Sequence, residues 1–236
     1  MWQVQRRAWK LDLIERTAER IHAPPGTPPP MAQWPEVSGP THEYLAVRLQ
    51  GEWIAEKTLL SQATTELGAG FWVMTPLQQA DNTQILVNRG FVPADQRVRW
   101  QTRDNDTTPS GPVTVEGLLR ISETGGGFLR RNAPDEQRWH SRDVGAMAKA
   151  LQLPNAAPYF VDAGLPARQG ATNTEQRPAS QGPWPRTGLT VVRFANSHLV
   201  YAVTWFGLAL MVIGAAVLVA RYEVRLRALG RTAPPP

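Results

Sequence analysis

The stretch NSHLVYAVTWFGLALMVIGAAVLVARYEVR, residues 196–225, decides how this chain is organised. No charged residue occurs between Leu199 and Ala220. At a rise of about 1.5 Å per residue, a helix over this stretch is long enough to cross a hydrocarbon core of about 30 Å. The sequence therefore predicts a transmembrane helix over residues 196–220.

The residues that follow the span predict its orientation. The tail, residues 221–236, contains one acidic residue, Glu223, and four arginines, namely Arg221, Arg225, Arg227 and Arg231. Clusters of positive charge stay on the cytoplasmic side of a membrane. We therefore expect a cytoplasmic tail, a large outer segment over residues 23–195, and the lipid bilayer as a partner.

The N-terminal residues contain no apolar segment that would translocate such an outer domain. Residues 1–22 are charged throughout, and the stretch from Trp9 to Ile21 has the apolar spacing of an amphipathic helix. We expect the native product to carry a first membrane helix that ends near Trp2. Reading the DNA upstream of Met1 in frame tests this expectation, and about 20 apolar codons there would encode the first membrane helix.

The outer segment, residues 23–195, has the sequence of a β-rich domain. Short alternating or β-rich runs, bounded by Gly, Pro, Asn or Asp, predict strands at 43–54, 71–77, 83–92, 112–122, 158–163 and 188–194. A helix is predicted from Arg142 to Leu153, with Asp143 in its first turn, and residues 169–185 predict a flexible loop. The predicted fold class is α+β: a mostly antiparallel β domain of about six strands with few helices, for which a small barrel is one closure, plus the C-terminal transmembrane helix.

Composition excludes several kinds of site. The 236 residues include no cysteine, which rules out disulfides, zinc–thiolate sites and the C-x-x-C redox motif. The net charge of +5 comes mainly from scattered arginines with no Lys/Arg-rich run, so nucleic acid is not an expected partner. Nucleophile-elbow, zincin and P-loop motifs are missing, and the histidines have no metal-ligand spacing, so the sequence does not support an enzyme.

His198 is the first candidate for a binding residue. Asn196 or Ser197 can cap the membrane helix, which places His198 in its first turn at interface depth. Tyr201 and Trp205 follow on the same helical face. Because histidine is a common axial ligand of haem iron, this arrangement suits a porphyrin lying at the membrane surface. The alternative is ordinary anchoring, since all three residue types are frequent at membrane interfaces.

The stretch ILVNRGFVP, residues 85–93, is the second candidate. Asn88, Arg89 and Gly90 interrupt an apolar strand pattern, which predicts a bulge or a hairpin bend that presents the Arg89 guanidinium. An arginine in that position can hold a carboxylate, including a haem propionate. The alternative is a hairpin with a structural ion pair.

The stretch GGGFLRRNAPDEQRWHSRD, residues 125–143, is the third candidate. It combines glycines with several arginines, Trp139 and His140. The strand and helix context of a nucleotide-binding loop is absent. Two interpretations stay open, a flexible partner-binding loop and a solvated connector.

Taken together, these segments resemble the surfeit-locus family of cytochrome c oxidase assembly factors. The matching pieces run in the family's order along nearly the whole chain: WQVQRRAWKLDLI, EYLAVRLQGEW, GFWVMTPL, ILVNRGFVP, GLLRISE, FLRRNAPDEQRWHSRDV and NSHLVYAVTWFGLAL. ILVNRG alone would be a weak signal. The complete ordered set is specific.

The resemblance implies a bacterial inner-membrane protein with a span at each end and a periplasmic domain between them. It implies a non-enzymatic factor that binds haem a and assists the catalytic subunit of cytochrome c oxidase, with haem a synthase as a further candidate partner. His198 matches the proposed iron ligand, and Trp2 and Gln3 match the pair at which the family's first span ends. The expected cofactor-binding residues are His198, Tyr201, Trp205, Trp2, Gln3 and Arg89. The alternative function is a scaffold that binds no haem.

Overall fold

The computed structural model describes residues 17–101, 108–125, 130–165, 184–188 and 198–230. The chain divides into two compact units, Met1–Val191 and Val192–Pro236. The first unit contains the strands. The second contains the long C-terminal helix.

The strands of the first unit form a closed barrel with one strand added at its side. The strands are β1 (Ala46–Trp53), β2 (Leu59–Thr65), β3 (Gly68–Gln78), β4 (Gln84–Pro93), β5 (Pro112–Ile121) and β6 (Ala156–Ala163). Their order is β1-β5-β6-β4-β3-β2, and β1 also pairs with β3, so every strand except β2 belongs to the closed barrel. The β4–β6 pair is parallel and the other pairs are antiparallel. The predicted fold class is confirmed, including the barrel.

Helices in the first unit are short. They are α1 (residues 17–22), α2 (Gly39–His42), α3 (Arg97–Gln101) and α4 (Val144–Ala150), with 3₁₀ turns at Met31–Glu36, Ala55–Lys57, Ala94–Gln96 and Pro134–Glu136. Helix α4 confirms the predicted helix with tighter bounds. The Asp143 carboxylate is its N-cap and accepts a hydrogen bond from the Ala146 N–H at 3.1 Å. Of the N-terminal helix predicted from Trp9, residues 17–21 are helical and the rest lies outside the described residues.

Strand β2 was not among the strands predicted from the sequence. Its sequence, LLSQATT, is polar after the first two residues because β2 lies outside the barrel and exposes alternate side chains. The available sequence signal was a glycine, Gly68, which begins β3 directly after a two-residue turn. In the structure its φ is 97°. The predicted strand over 188–194 and most of the predicted loop over 169–185 lie outside the described residues.

Both faces of β4 and β6 are buried, which explains their continuous apolar sequences. One face lines the barrel interior, where the buried side chains are Val47, Leu49, Leu77, Ile85, Val87, Leu119, Ala157, Tyr159 and Val161. The opposite face packs under α4, where the buried side chains are Met74, Leu86, Trp139, Val144, Met147, Leu153 and Phe160. A polar residue in either strand is therefore carried into the core.

Candidate functional site

The second unit contains α5 (His198–Gly230), the helix predicted to span the membrane. Residues Thr204–Glu223 are long and apolar enough to cross a bilayer, with a mean hydropathy of 1.9. Large apolar side chains of this stretch are exposed; Phe206 is 72% exposed and Leu218 69%. Continuous apolar surface of this kind is stable in lipid and not in water, so the length and composition of α5 are those of a candidate membrane anchor. The helix continues through the first ten positions of the basic tail.

The backbone of α5 places His198, Tyr201 and Trp205 on one face. His198 is the first residue of the helix, and offsets of three and seven residues are close to one and two turns of about 3.6 residues. The Trp205 side chain is 70% exposed. The side chains of His198 and Tyr201, like the whole of Trp2 and Gln3, are outside the described part of the structure.

Arg89 lies in a β-bulge of β4. Two residues of β4, Arg89 and Gly90, oppose Val73 alone on β3. Gly90 has a φ of 127°, a backbone conformation that other residues rarely adopt. The predicted bulge is confirmed, whereas a hairpin bend is not formed because β4 continues through the bulge to Pro93.

Aromatic rings hold the Arg89 guanidinium. Its central carbon lies 5.1 Å from the ring centre of Trp53 and 5.7 Å from that of Trp100, and Nη1 donates a hydrogen bond to Thr108 Oγ1 at 2.6 Å. Burial lowers the pKa of Arg89. Among the described residues no carboxylate pairs with it, so the structural ion pair considered above is not found there. A cation held by ring faces keeps its charge available for an acidic group of a ligand.

A chain of charges centred on a buried carboxylate links β5, β6 and the segment before α4. Asp162 on β6 is 2% exposed and lies between two guanidiniums, 2.9 Å from Arg120 Nη1 and 3.1 Å from Arg142 Nη1. Arg120 Nε also donates to Glu43 Oε1 at 2.7 Å, and Arg142 Nη2 donates to Glu123 Oε1. Carboxylates and guanidiniums therefore alternate along the charge network, which we define by these five residues.

The charge network is joined to the bulge through Asn88. Its Nδ2 donates to Asp162 Oδ1 at 2.7 Å, and its Oδ1 accepts the Gly90 N–H at 3.1 Å. Buried polar groups that all have partners specify a unique packing, so we interpret the network as structural and not catalytic. The charge network was not predicted from the sequence. The available signal was an ionisable or amide residue inside each apolar strand, as in ILVNRG, GLLRIS and YFVDA.

The charge network predicts a loss of stability in acid. Burial is the largest influence on Glu123 and raises its pKa, but the hydrogen bonds and charge of Arg142, with the charge of Arg120, outweigh burial and hold the pKa below the ordinary value. The stabilisation by ionised Glu123 is therefore complete above the unfolded-state pKa and is lost as pH falls through the folded-state pKa. We expect the unfolding midpoint in denaturant to fall on acidification, and less steeply in Glu123→Gln. Identical acid profiles of the two proteins would contradict this.

Residues 130–143 are anchored against β2. Trp139 is 2% exposed under α4, and its carbonyl accepts the Gln62 N–H at 2.8 Å. Asn132 Oδ1 accepts the His140 N–H at 2.7 Å, which fixes the turn before Arg142. The anchoring involves Trp139 and Ser141, which are buried, whereas residues 130–131 and 134–138 are exposed, so both interpretations above stay open. Residues 126–129 are outside the described residues.

Comparison with known proteins adds a relationship over most of the chain. The sequence model of the SURF1 family matches residues 1–210. Surfeit locus protein 1 of Homo sapiens is 35% identical over 227 residues, which cover 88% of this chain and 68% of the relative. The Xenopus tropicalis protein of that name is 34% identical over 88% of this chain and 66% of its own length, and that of Takifugu rubripes is 33% identical over 88% and 85%. The chain thus spans about two thirds of the length of several relatives that it matches.

Proposed function

Since this chain belongs to the SURF1 family, we propose that it is a membrane-anchored assembly factor for cytochrome c oxidase that binds haem a and assists its insertion into the catalytic subunit. The observation that carries the proposal is α5, which begins at His198 and presents Trp205 on the same face at the start of an apolar anchor. Haem iron takes an imidazole ligand, and the apolar ring packs against aromatic side chains.

The remaining expected residues have supporting roles in this proposal. Tyr201 shares the helical face of His198, and Trp2 and Gln3 belong to the segment that follows the family's first span. Arg89 is the proposed partner of a haem carboxylate, which is supported by a guanidinium that has no carboxylate partner among the described residues. When bound, haem a supplies the iron that the imidazole ligates; the protein holds it as cargo.

The proposed topology is supported by the apolar helix, and the proposed partners by the family. Arginines dominate the residues after the span, which supports a cytoplasmic tail and a periplasmic barrel in a bacterial inner membrane. The partners are the catalytic subunit of cytochrome c oxidase and, as the source of haem a, its synthase. The alternative is a scaffold that binds no haem and stabilises an assembly intermediate, and it is favoured by the exposed edge of β2 described below.

His198→Ala tests the haem proposal. We expect haem a to co-purify with the full-length wild-type protein from cells that make haem a, at a level close to one per chain. The variant loses the visible absorption bands or shifts them, because the axial ligand sets the spectrum of the iron. The measurement is the visible absorption spectrum of both proteins, purified identically with any upstream span restored.

His22→Ala is the matched control. His22 is exposed in α1, and its Nδ1 lies 2.7 Å from the Ala18 carbonyl oxygen, so the control removes an imidazole that has no proposed ligand role. It is expected to keep the wild-type spectrum. If neither wild type nor variant carries haem while both bind the oxidase subunit, the scaffold function replaces the haem proposal. Oxidase from cells with His198→Ala would then have normal haem content.

A further inference from the structure

A groove runs along the outer edge of β2. It has a volume of about 430 Å³, within the range of about 300–1,000 Å³ typical of ligand sites. The hairpin of β2 and β3 forms its floor, which includes Phe71, and Ala94, Arg130 and His140 form its walls. We call this feature the β2 groove.

The register of β2 leaves backbone groups free in the β2 groove. Thr65 and Gly68 close the hairpin, so Gln62 and Thr64 occupy the pairs whose N–H and C=O groups face away from β3. The hydrogen bond from the Gln62 N–H to the Trp139 carbonyl confirms this direction. Within the described part of the chain, the Thr64 N–H and C=O and the Gln62 C=O make no hydrogen bond. Beyond the hydrogen bond to Trp139, this edge of β2 is therefore unpaired by the residues that the structure describes.

The charge of the β2 groove is positive. Arg130 and His140 line it, and no aspartate or glutamate does. Arg130 has no carboxylate partner in the described residues. A guanidinium without a carboxylate partner on the wall stabilises an anion in the groove.

We propose that the β2 groove docks an acidic segment of a partner protein in an extended conformation, which adds to β2 as a further strand. The backbone of the segment would bond to Thr64 and Gln62, and its carboxylates would pair with Arg130. Strand addition of this kind takes affinity from main-chain hydrogen bonds and specificity from side chains. This role does not involve His198 and is independent of haem binding.

Binding of two matched peptides tests the proposal. The probes are fluorescent peptides of about eight residues, the length of an ordinary strand, one alternating Glu with Val and the other alternating Lys with Val. We expect the Glu peptide to bind the full-length protein in detergent with a Kd at least about tenfold lower than that of the Lys peptide, because of charge complementarity. Fluorescence anisotropy at two salt concentrations measures the Kd of each peptide, and we expect high salt to weaken binding of the Glu peptide.

Variants separate the backbone contribution from the charge. Thr64→Pro removes one outward N–H, and an edge strand tolerates proline at such a position. We expect this variant to weaken binding of the Glu peptide about fivefold. Thr64→Ala keeps the N–H and changes the Kd by less than about twofold. Arg130→Gln removes the charge and weakens binding about tenfold. All three variants keep the haem spectrum of wild type, which distinguishes failure of this proposal from failure of the haem proposal.

Several outcomes would overturn the proposal. Equal affinity for the Glu and Lys peptides would overturn it. An unchanged Kd of the Glu peptide in both Thr64→Pro and Arg130→Gln would also overturn it. A third outcome concerns Arg130→Gln alone. If this variant loses binding to phosphatidylglycerol vesicles but binds the Glu peptide as wild type does, Arg130 contacts a lipid surface and not an acidic segment.

Discussion

Asp162→Ala is expected to lower the free energy of unfolding of the barrel by about 3–5 kcal/mol, the usual cost of breaking a buried ion pair by removing one of its members. Asp162 is 2% exposed and is shared by Arg120 and Arg142, whose side chains are only 15% and 12% exposed. Its removal leaves two guanidiniums facing each other without the intervening carboxylate. It also removes the acceptor of the Asn88 amide, which loosens the bulge.

Guanidinium chloride titration followed by tryptophan fluorescence measures this loss. The matched control is Glu116→Ala, which breaks the Arg48–Glu116 pair at side chains that are 51% and 42% exposed and should cost no more than about 1 kcal/mol. Asp162→Asn, which keeps the shape and one hydrogen-bonding oxygen, should fall between the two and remains informative if Asp162→Ala does not fold. A cost for Asp162→Ala no larger than that of Glu116→Ala would show that the charge network is not stabilising.

Gly90→Ala is expected to be the most disruptive single-methyl change, at on the order of 4 kcal/mol. A backbone held at a φ of 127° costs a residue with a Cβ about 1–3 kcal/mol. The new Cβ would also lie 2.3 Å from the Arg186 carbonyl oxygen, and overpacking adds a further cost of about 1–3 kcal/mol. The backbone of Arg186 pairs with Phe91 through two hydrogen bonds of 2.9 Å, so it cannot move away freely.

Gly68→Ala separates the two contributions. Gly68 has a φ of 97°, but nothing lies within 4 Å of a Cβ placed there. Its substitution should cost only the backbone contribution of about 1–2 kcal/mol. Gly39 has neither a positive φ nor an atom within 4 Å of an added Cβ, so Gly39→Ala should lower the free energy of unfolding least of the three. Equal losses for Gly90→Ala and Gly68→Ala would mean that the contact with Arg186 does not restrict the bulge.

The two structural predictions bear on the proposed function through Arg89. The bulge that Gly90 permits directs the Arg89 side chain toward Trp53 and Trp100, and Asn88 ties the bulge to Asp162. A variant that disturbs the bulge therefore moves a proposed ligand contact as well as the core. Arg89→Gln leaves the backbone of the bulge intact and is the better probe of ligand binding alone.

Residues whose role depends on neighbours in sequence were predicted well. The bulge at Arg89 and Gly90, the helix that begins near Asp143 and the apolar helix from His198 each rest on a pattern of a few consecutive residues. Residues whose role depends on distant partners were not. Arg120 and Asp162 were seen only as members of predicted strands, although they are ion-paired across 42 residues of sequence.

The sequence by itself determined the membrane helix, five of the six strands and the family, because apolar length, alternation and ordered motifs are local properties of a chain. Only the tertiary structure decided that the strands close into a barrel, that β2 remains outside it with an edge that the described residues leave partly unpaired, and that Asp162 joins two arginines to Asn88. Asn88 and Asp162 are 74 residues apart and meet because β4 and β6 pair in parallel with these two residues in register. Such a meeting depends on strand order and register, which are set by how the whole core packs and not by any single segment.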